Sequence, residues 1–361
     1  MQDTPLSRWL PPLMAFGLSF VIIASLAPLV GIQTERQLDF WLLWFVTMIF
    51  LALPIGYLEI ALAKRSKTTA LNALSSLTRD ADASPRWRLV GWLAVVFIPF
   101  LAGGLLSQAS QLLVVQAQLT GLSSVVLAGL AVLALALSVV PRLILMGLML
   151  LGVILSLIFA QVMGTQLPAW QMTSLEFSEW GSATVLALVA SGLGLGLYWQ
   201  TTLPQVKQQE IATKSALPIW IAQLLAVVAF AFFATKTQLP AFSLTLAAVM
   251  ASALMIQLAR EQLAGRQIAM VLQWVIVVVA LGVWAIPEIT VIFNVLLLLW
   301  GLIICLIYAI FAGWIMKISH LRKSMNFSNE LFYNLWRIAV RVILPLSIIL
   351  AIISVVLKAL T

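Results

Sequence analysis

One carboxylate, Glu59, lies inside an otherwise apolar stretch that ends just before Lys64 and Arg65. If this stretch crosses a membrane, the carboxylate is costly there and is expected to face a cavity or a polar partner. Two interpretations stay open. Glu59 is either a structural acid that accepts hydrogen bonds from broken backbone nearby, or a carboxylate coupled to a proton or a solute.

A second polar feature is the segment Ala190-Ser191-Gly192-Leu193-Gly194-Leu195-Gly196, where three alternate glycines follow a serine. Each glycine weakens a helix by about 1 kcal/mol relative to alanine. The segment therefore predicts either an unwound stretch that lines a cavity or close helix packing through small residues. A dinucleotide-binding loop is excluded, because no strand precedes the glycines.

A similar interruption is predicted near the start of the chain, where Gly17, Ser19, Ser25 and Pro28 fall within one apolar run. Proline removes a backbone donor, and nearby hydroxyl groups can satisfy the groups that it frees. Interrupted helices at corresponding positions of two halves indicate an inverted-repeat transporter site. We therefore expect broken helices at the first and sixth spans.

The composition indicates that these residues lie in a membrane protein. Of the 361 residues, 63% are apolar and 9% are charged, whereas soluble domains have about 25% charged residues. Crossing the bilayer takes about 20 apolar residues, and we expect one transmembrane domain over residues 1–361, all helical, with about 11 spans. They are predicted at 8–31, 38–63, 88–117, 120–140, 142–163, 180–200, 215–235, 240–259, 267–286, 289–316 and 334–358.

The basic residues predict the orientation, since lysine and arginine in short loops stay cytoplasmic. With the N-terminus inside and eleven spans, only Arg36, Lys236 and Lys358 of the 20 basic residues fall outside. We expect a multi-pass protein of a bacterial inner membrane, with a cytoplasmic N-terminus and a periplasmic C-terminus. The net charge of +8 is spread over loops, so nucleic acid is not an expected partner. The expected partner is the lipid bilayer.

Three segments carry a resemblance to a known family. They are Leu53 to Arg65, which reads LPIGYLEIALAKR, Ser178 to Thr202 with SGLGLG, and Gly313 to Pro345 with its Gly-Trp, basic loop, Trp and Arg. In order and spacing they resemble the second helix, the unwound sixth helix and the tenth-to-eleventh helix passage of the neurotransmitter:sodium symporters. The chain looks like a divergent, shortened bacterial member with the leucine-transporter fold.

The resemblance implies two inverted five-helix repeats, at 8–163 and 180–316, followed by an eleventh helix at 334–358. It also implies a central site where broken helices one and six meet helices three and eight, with sodium held by carbonyl and hydroxyl oxygens. Glu59 would lie beneath that site, and Ser25 and Ser252 are the sodium-ligand candidates. The expected solute-binding residues are Ser19, Ala24, Ser25, Gly104, Ser107, Ser191, Gly192, Gly194 and Glu59.

The sequence departs from the family where the family binds its ligands. Residues 21–28 read VIIASLAP and contain neither the asparagine that binds sodium in the family nor the arginine of its outer gate. Gly104 and Leu105 stand where the family has a tyrosine, and Ala251 replaces one of two hydroxyl ligands beside Ser252. These departures favour a small or weakly charged solute over an amino acid held with sodium.

The expected function is secondary transport of a small solute such as an amino acid or amine. Na⁺ or H⁺ is the expected coupling ion, facilitated transport stays open, and no cofactor is expected. The alternative is a non-transporting subunit or sensor with a degenerate transporter fold, which would have a protein partner. An enzyme is not expected, because His320 is the only histidine and no second acid lies at the depth of Glu59.

Overall fold

The structure is a computed structural model that describes residues 5–31, 37–119, 123–163, 169–192, 194–206, 212–233, 240–327 and 329–360. The regular secondary structure of these residues is helical. The α-helices are α1 (Pro5–Val30), α2 (Leu38–Thr47), α3 (Leu53–Ser66), α4 (Ala70–Asp80), α5 (Leu89–Gln116), α6 (Ser123–Leu137), α7 (Arg142–Met163), α8 (Phe177–Leu188), α9 (Trp199–Val206), α10 (Thr213–Phe233), α11 (Ala241–Gly265), α12 (Met270–Gly282), α13 (Thr290–Ile310), α14 (Ile318–Met325), α15 (Glu330–Ile338) and α16 (Leu344–Leu360).

Single π-helical turns join several helices into long rods. Met48–Ala52 joins α2 to α3, and Ala339–Ile343 joins α15 to α16. Within the described residues, eight helices are long and apolar enough to cross a membrane, while two further apolar helices, Ser123–Leu137 and Met270–Ala285, are shorter. A multi-pass, all-helical membrane architecture is therefore confirmed. The number of eleven crossings stays a prediction, as do the boundaries of the two repeats. Arg36, Lys207 and Lys236 lie outside the described residues.

The core is built from close contacts between long helices. α1 packs along α10, and α11 packs along both α5 and α7. A Cβ added to Gly152 of α7 would lie 2.8 Å from the backbone nitrogen of Ala247 on α11, and Ser156 donates a hydrogen bond of 2.9 Å to Ser243 across the same contact. Small residues thus let these two backbones approach closely, as is typical of membrane helix pairs.

The predicted break in the first span is wrong, because α1 is continuous from Pro5 to Val30. Pro28 lies in the last turn of the helix, so its missing N–H removes one hydrogen bond near the end and does not interrupt the helix. The hydroxyl of Ser25 donates to the carbonyl of Val21 in the same helix, at 2.9 Å. Gly17 packs against Met149 of α7, so this glycine serves helix packing.

The predicted break in the sixth span is confirmed. α8 ends at Leu188 and α9 begins at Trp199. Between them, Gly192, Gly194 and Gly196 have φ angles of +69°, +75° and +80°. Residues with a Cβ adopt this left-handed region at a cost, which explains the alternate glycines. Of the two interpretations of this segment, unwinding is correct.

We expect Gly194→Ala to lower the free energy of unfolding by about 1–2 kcal/mol, because of its positive φ, and further because a Cβ there would lie 2.9 Å from Ile55. The midpoint of thermal unfolding in detergent measures the effect. Gly147→Ala is the matched control, since a Cβ at Gly147 meets no atom within 4 Å, and it should leave the midpoint unchanged or raise it. Equal midpoints for the two variants would contradict this account of the break.

Candidate functional site

Glu59 of α3 binds the open end of the broken helix. Its carboxylate accepts hydrogen bonds from the backbone N–H groups of Gly194 (2.9 Å), Tyr198 (3.1 Å) and Trp199 (2.8 Å). Tyr198 directly precedes α9 and Trp199 is its first residue, and N–H groups at the start of a helix have no partner within it. The indole N–H of Trp199 also donates to the carbonyl of Thr68, at 2.8 Å. The start of α9 is therefore fixed from α3 and from the segment that follows it.

This geometry bears on the two interpretations of Glu59. The prediction that its side chain points toward the interrupted sixth span is confirmed, and the three hydrogen bonds described above all come from backbone donors. The residue is 4% exposed. A cavity of about 10 Å³ lies beside it, lined also by Gly194 and Tyr308, which is about the room of one water molecule. These contacts are those expected of a structural acid, and the coupling of Glu59 to a proton or a solute stays a prediction.

At the end of the break that follows α8, three polar side chains donate hydrogen bonds to one backbone carbonyl. The carbonyl oxygen of Ser191 accepts hydrogen bonds from the hydroxyl of Ser19 on α1 (3.1 Å), the hydroxyl of Tyr198 (3.0 Å) and the side-chain amide of Gln223 on α10 (3.0 Å). We refer to Ser19, Ser191, Tyr198 and Gln223 as the Ser191 cluster. The side-chain oxygen of Gln223 is buried and has no hydrogen-bond partner in the described part of the chain.

The structure brings together only some of the residues predicted for the solute site. Ser19 and Ser191 are joined in the Ser191 cluster, and Gly192 lies beside it, since a Cβ there would come within 3.4 Å of the Tyr198 hydroxyl. Gly194 is joined to Glu59. Gly104 instead faces Trp284 and Leu297.

The remaining predicted residues are buried without being joined to the Ser191 cluster by any described hydrogen bond. The hydroxyl of Ser25 bonds within α1. The hydroxyl of Ser252 donates to the carbonyl of Ala102 on α5, at 3.2 Å. No described hydrogen bond links Ser25 to Ser252, so their pairing at a sodium site stays a prediction. Ala24 and Ser107 are 8% and 3% exposed.

A charged network fixes α9 on the side that the basic residues predict to be cytoplasmic. Arg142 at the start of α7 donates to both carboxylate oxygens of Glu261 on α11, at 2.7 and 2.6 Å. Glu261 also accepts from the side-chain amide of Gln200 on α9, at 2.9 Å. The network joins three helices around the half of the sixth span that follows the break.

Tyr198, Gln223 and the Arg142–Glu261 pair were not predicted from the sequence. A signal was available for Gln223, because it lies in the apolar run 215–235 and a buried polar side chain in such a run marks a cavity or a partner. For Tyr198 the signal was its place directly after the glycines. The ion pair joins residues 119 positions apart, and no local pattern marks it.

The sequence matches no protein-family model and no curated protein. Solved structures match over nearly the whole chain. MhsT in complex with L-phenylalanine matches with a TM-score of 0.66 at 15% identity, over 98% of this chain and 99% of that chain. A manganese transporter from Eremococcus coleocola, in complex with an aromatic bis-isothiourea substituted compound, matches with a TM-score of 0.58 at 13% identity, over 98% and 86% of the two chains. A mutant of that transporter gives 0.57 at 12% identity, over 99% and 88%.

The chain has the leucine-transporter fold. One of the matched structures holds L-phenylalanine, and the other two are of a manganese transporter. At 12–15% identity the similarity shows the fold and does not identify a solute. In this chain the leucine-transporter fold has a continuous first helix, and the polar contacts gather at the break in the sixth span.

We expect Glu59→Gln to destabilise the protein by about 1.5–3 kcal/mol, the usual contribution of a hydrogen bond to a charged group. The amide would place an NH₂ group against backbone N–H donors that now meet a carboxylate oxygen. Thermal unfolding measures the loss, and hydrogen exchange should speed up at Gly194, Tyr198 and Trp199. Glu288→Gln, at an exposed carboxylate, is the control. Unchanged exchange at these three amides would contradict the structural role of Glu59.

We expect a double-mutant cycle on Arg142 and Glu261, each changed to glutamine, to give a coupling energy of about 1 kcal/mol. One guanidinium nitrogen contacts both carboxylate oxygens, but the side chains are 21% and 37% exposed, so solvent screening weakens the pair. The control is the Lys317–Asp82 pair, which is 56% and 81% exposed and should show coupling close to zero. Equal coupling in the two cycles would mean that the Arg142–Glu261 pair does not hold α7, α9 and α11 together.

Proposed function

We propose that the chain is a secondary transporter that moves a small solute across a membrane. The observation that carries the proposal is the broken sixth span, whose open ends meet Glu59 on one side and the Ser191 cluster on the other. Unwound backbone in a membrane is tolerated where it lies within the protein or lines a cavity, and transporters use such backbone to bind solutes and ions. The shared fold with two transporters supports the same proposal.

The finer assignments belong to this proposal. We infer a divergent, shortened member of the neurotransmitter:sodium symporters on the three motifs of the sequence, in a bacterial inner membrane with the N-terminus in the cytoplasm. The proposed solutes are small amino acids or amines, and the proposed coupling ion is Na⁺ or H⁺. The two five-helix repeats at 8–163 and 180–316 are part of the same inference.

We place the solute at the Ser191 cluster, where Ser19, Ser191 and Gly192 meet. In the present state the hydroxyl of Tyr198 and the side-chain amide of Gln223 donate hydrogen bonds to the carbonyl of Ser191. A solute with an N–H or O–H donor would replace the Tyr198 hydroxyl there, and the side-chain oxygen of Gln223 offers a buried acceptor beside it. This chemistry suits a small solute that carries a hydrogen-bond donor.

The same cluster supports a second candidate function, a non-transporting subunit or sensor that acts on a protein partner. Three side chains of the protein already donate hydrogen bonds to the Ser191 carbonyl. The cavity at Glu59 holds about one water molecule. A degenerate transporter fold would keep such a closed centre permanently, whereas a transporter must open it.

Reconstituted protein tests the two candidates. We expect a small amino acid or amine to raise the midpoint of thermal unfolding, and to be taken up by proteoliposomes under a sodium or proton gradient. Ser19→Ala should weaken both responses about three- to tenfold, because we expect the Ser19 oxygen to accept a hydrogen bond from the solute while its own O–H stays on the Ser191 carbonyl, and one neutral hydrogen bond contributes about that much. Tyr198→Phe should strengthen binding, because the phenol no longer competes for the Ser191 carbonyl.

Ser347→Ala, at a buried serine on α16 that lies outside the Ser191 cluster, is the matched control for Ser19→Ala and should leave uptake unchanged. Stabilisation that requires sodium would assign the coupling ion. No uptake and no stabilisation by any amino acid or amine, in the wild type and in Tyr198→Phe, would contradict transport and favour the second candidate.

A further inference from the structure

A large pocket lies far from the break, at the ends of helices that the basic residues predict to face the outside. It has a volume of about 600 Å³ and lies between the end of α1, the start of α2, the start of α8 and the end of α16. Pockets of about 300–1,000 Å³ are typical of small-molecule sites. We call it the outer pocket. Its lining includes Phe40, Trp41, Glu176, Glu179, Ser354 and Lys358.

The side-chain ammonium group of Lys358, which lines the outer pocket, is hydrogen-bonded to the protein. Lys358 donates a hydrogen bond of 2.7 Å to the carbonyl of Val30, the last residue of α1. The hydroxyl of Ser182 on α8 donates to the same carbonyl at 2.9 Å. A cation at a helix C-terminus is stabilised by the helix dipole. The positive charge of Lys358 is therefore stabilised by the negative end of the α1 dipole.

The two carboxylates of the outer pocket have no such counter-ion. Glu176 and Glu179 form a capping box at the start of α8, in which each side chain accepts from the backbone of the other residue. Ser178 also donates to Glu176, at 3.2 Å. All these donors are neutral, and neither carboxylate forms an ion pair in the described part of the chain. Two negative charges thus face the pocket.

The other walls suit the body of an organic cation. Phe40 and Trp41 present aromatic rings, which attract cations that lie over their faces. The hydroxyl of Ser354 lines the pocket from a residue that is 5% exposed, and it has no hydrogen bond within the described residues. It offers an acceptor to an N–H donor at the bottom of the pocket.

We propose that the outer pocket binds an organic ammonium ion, with its charged group at Glu176 and Glu179 and its apolar body against Phe40 and Trp41. Such a ligand would contact α2, α8 and α16 at once. It would stabilise the contact of α8 and α16 with the end of α1, so the site is a modulatory one. The proposal does not depend on the solute site at the Ser191 cluster.

Benzylamine, charged at neutral pH, is the probe, and benzyl alcohol is its neutral counterpart of the same shape. With the full-length protein in detergent, we expect benzylamine to slow hydrogen exchange in residues 173–182 and to raise the unfolding midpoint. The effect should weaken as salt rises, because Glu176 is exposed and Glu179 is partly exposed, and salt screens such charges. The double variant Glu176→Gln/Glu179→Gln should bind benzylamine about tenfold more weakly.

Glutamine can keep the hydrogen bonds of a capping box, so the double variant should fold, and its unfolding midpoint without probe checks this. Glu288→Gln is the control and should bind benzylamine like the wild type. Equal protection by benzyl alcohol, equal affinity in the double variant, or protection confined to residues around Ser191 would each overturn the proposal. The last result would instead place the amine at the proposed solute site, which separates the two proposals.

Discussion

The carboxylate of Glu59 accepts three backbone N–H groups at the point where the sixth span is broken. In a membrane, backbone donors without a partner cost several kcal/mol each. A helix can therefore stop in the middle of the bilayer only if another part of the protein supplies acceptors. Glu59 supplies them for the start of α9, and the positive end of the α9 dipole in turn stabilises its negative charge.

The other side of the break needs donors, and different helices supply them. The carbonyl of Ser191 receives hydrogen bonds from Ser19 on α1, Gln223 on α10 and Tyr198 at the end of the unwound segment. The two halves of the sixth span are thus satisfied separately, the N–H side from α3 and the C=O side from α1 and α10. A displacement of α1 or α10 would remove one of the three donors to the Ser191 carbonyl, whereas the contacts of α9 with Glu59 come from α3.

The far ends of the two halves have separate anchors as well. α8 is tied to the end of α1 through Ser182, and Lys358 of α16 binds the same carbonyl of Val30. α9 is tied to α11 through Gln200 and Glu261, which Arg142 of α7 neutralises. The two short helices thus have independent anchors and are joined by a segment with three glycines at positive φ. Transport as we propose it requires them to move as separate bodies.

The sequence by itself determined the features that depend on local chemistry. Apolar runs determined the membrane helices, and alternate glycines determined the break in the sixth span. Because a carboxylate at membrane depth is costly, the sequence also determined that Glu59 points inward. Only the tertiary structure decided the rest. It kept α1 continuous, because Pro28 falls in the last turn, and it set Gly104 against Trp284. It also brought Ser19 to Ser191 across 172 positions. Such contacts depend on how helices pack, and hydrophobic patterns specify which face is buried but not which partner meets it.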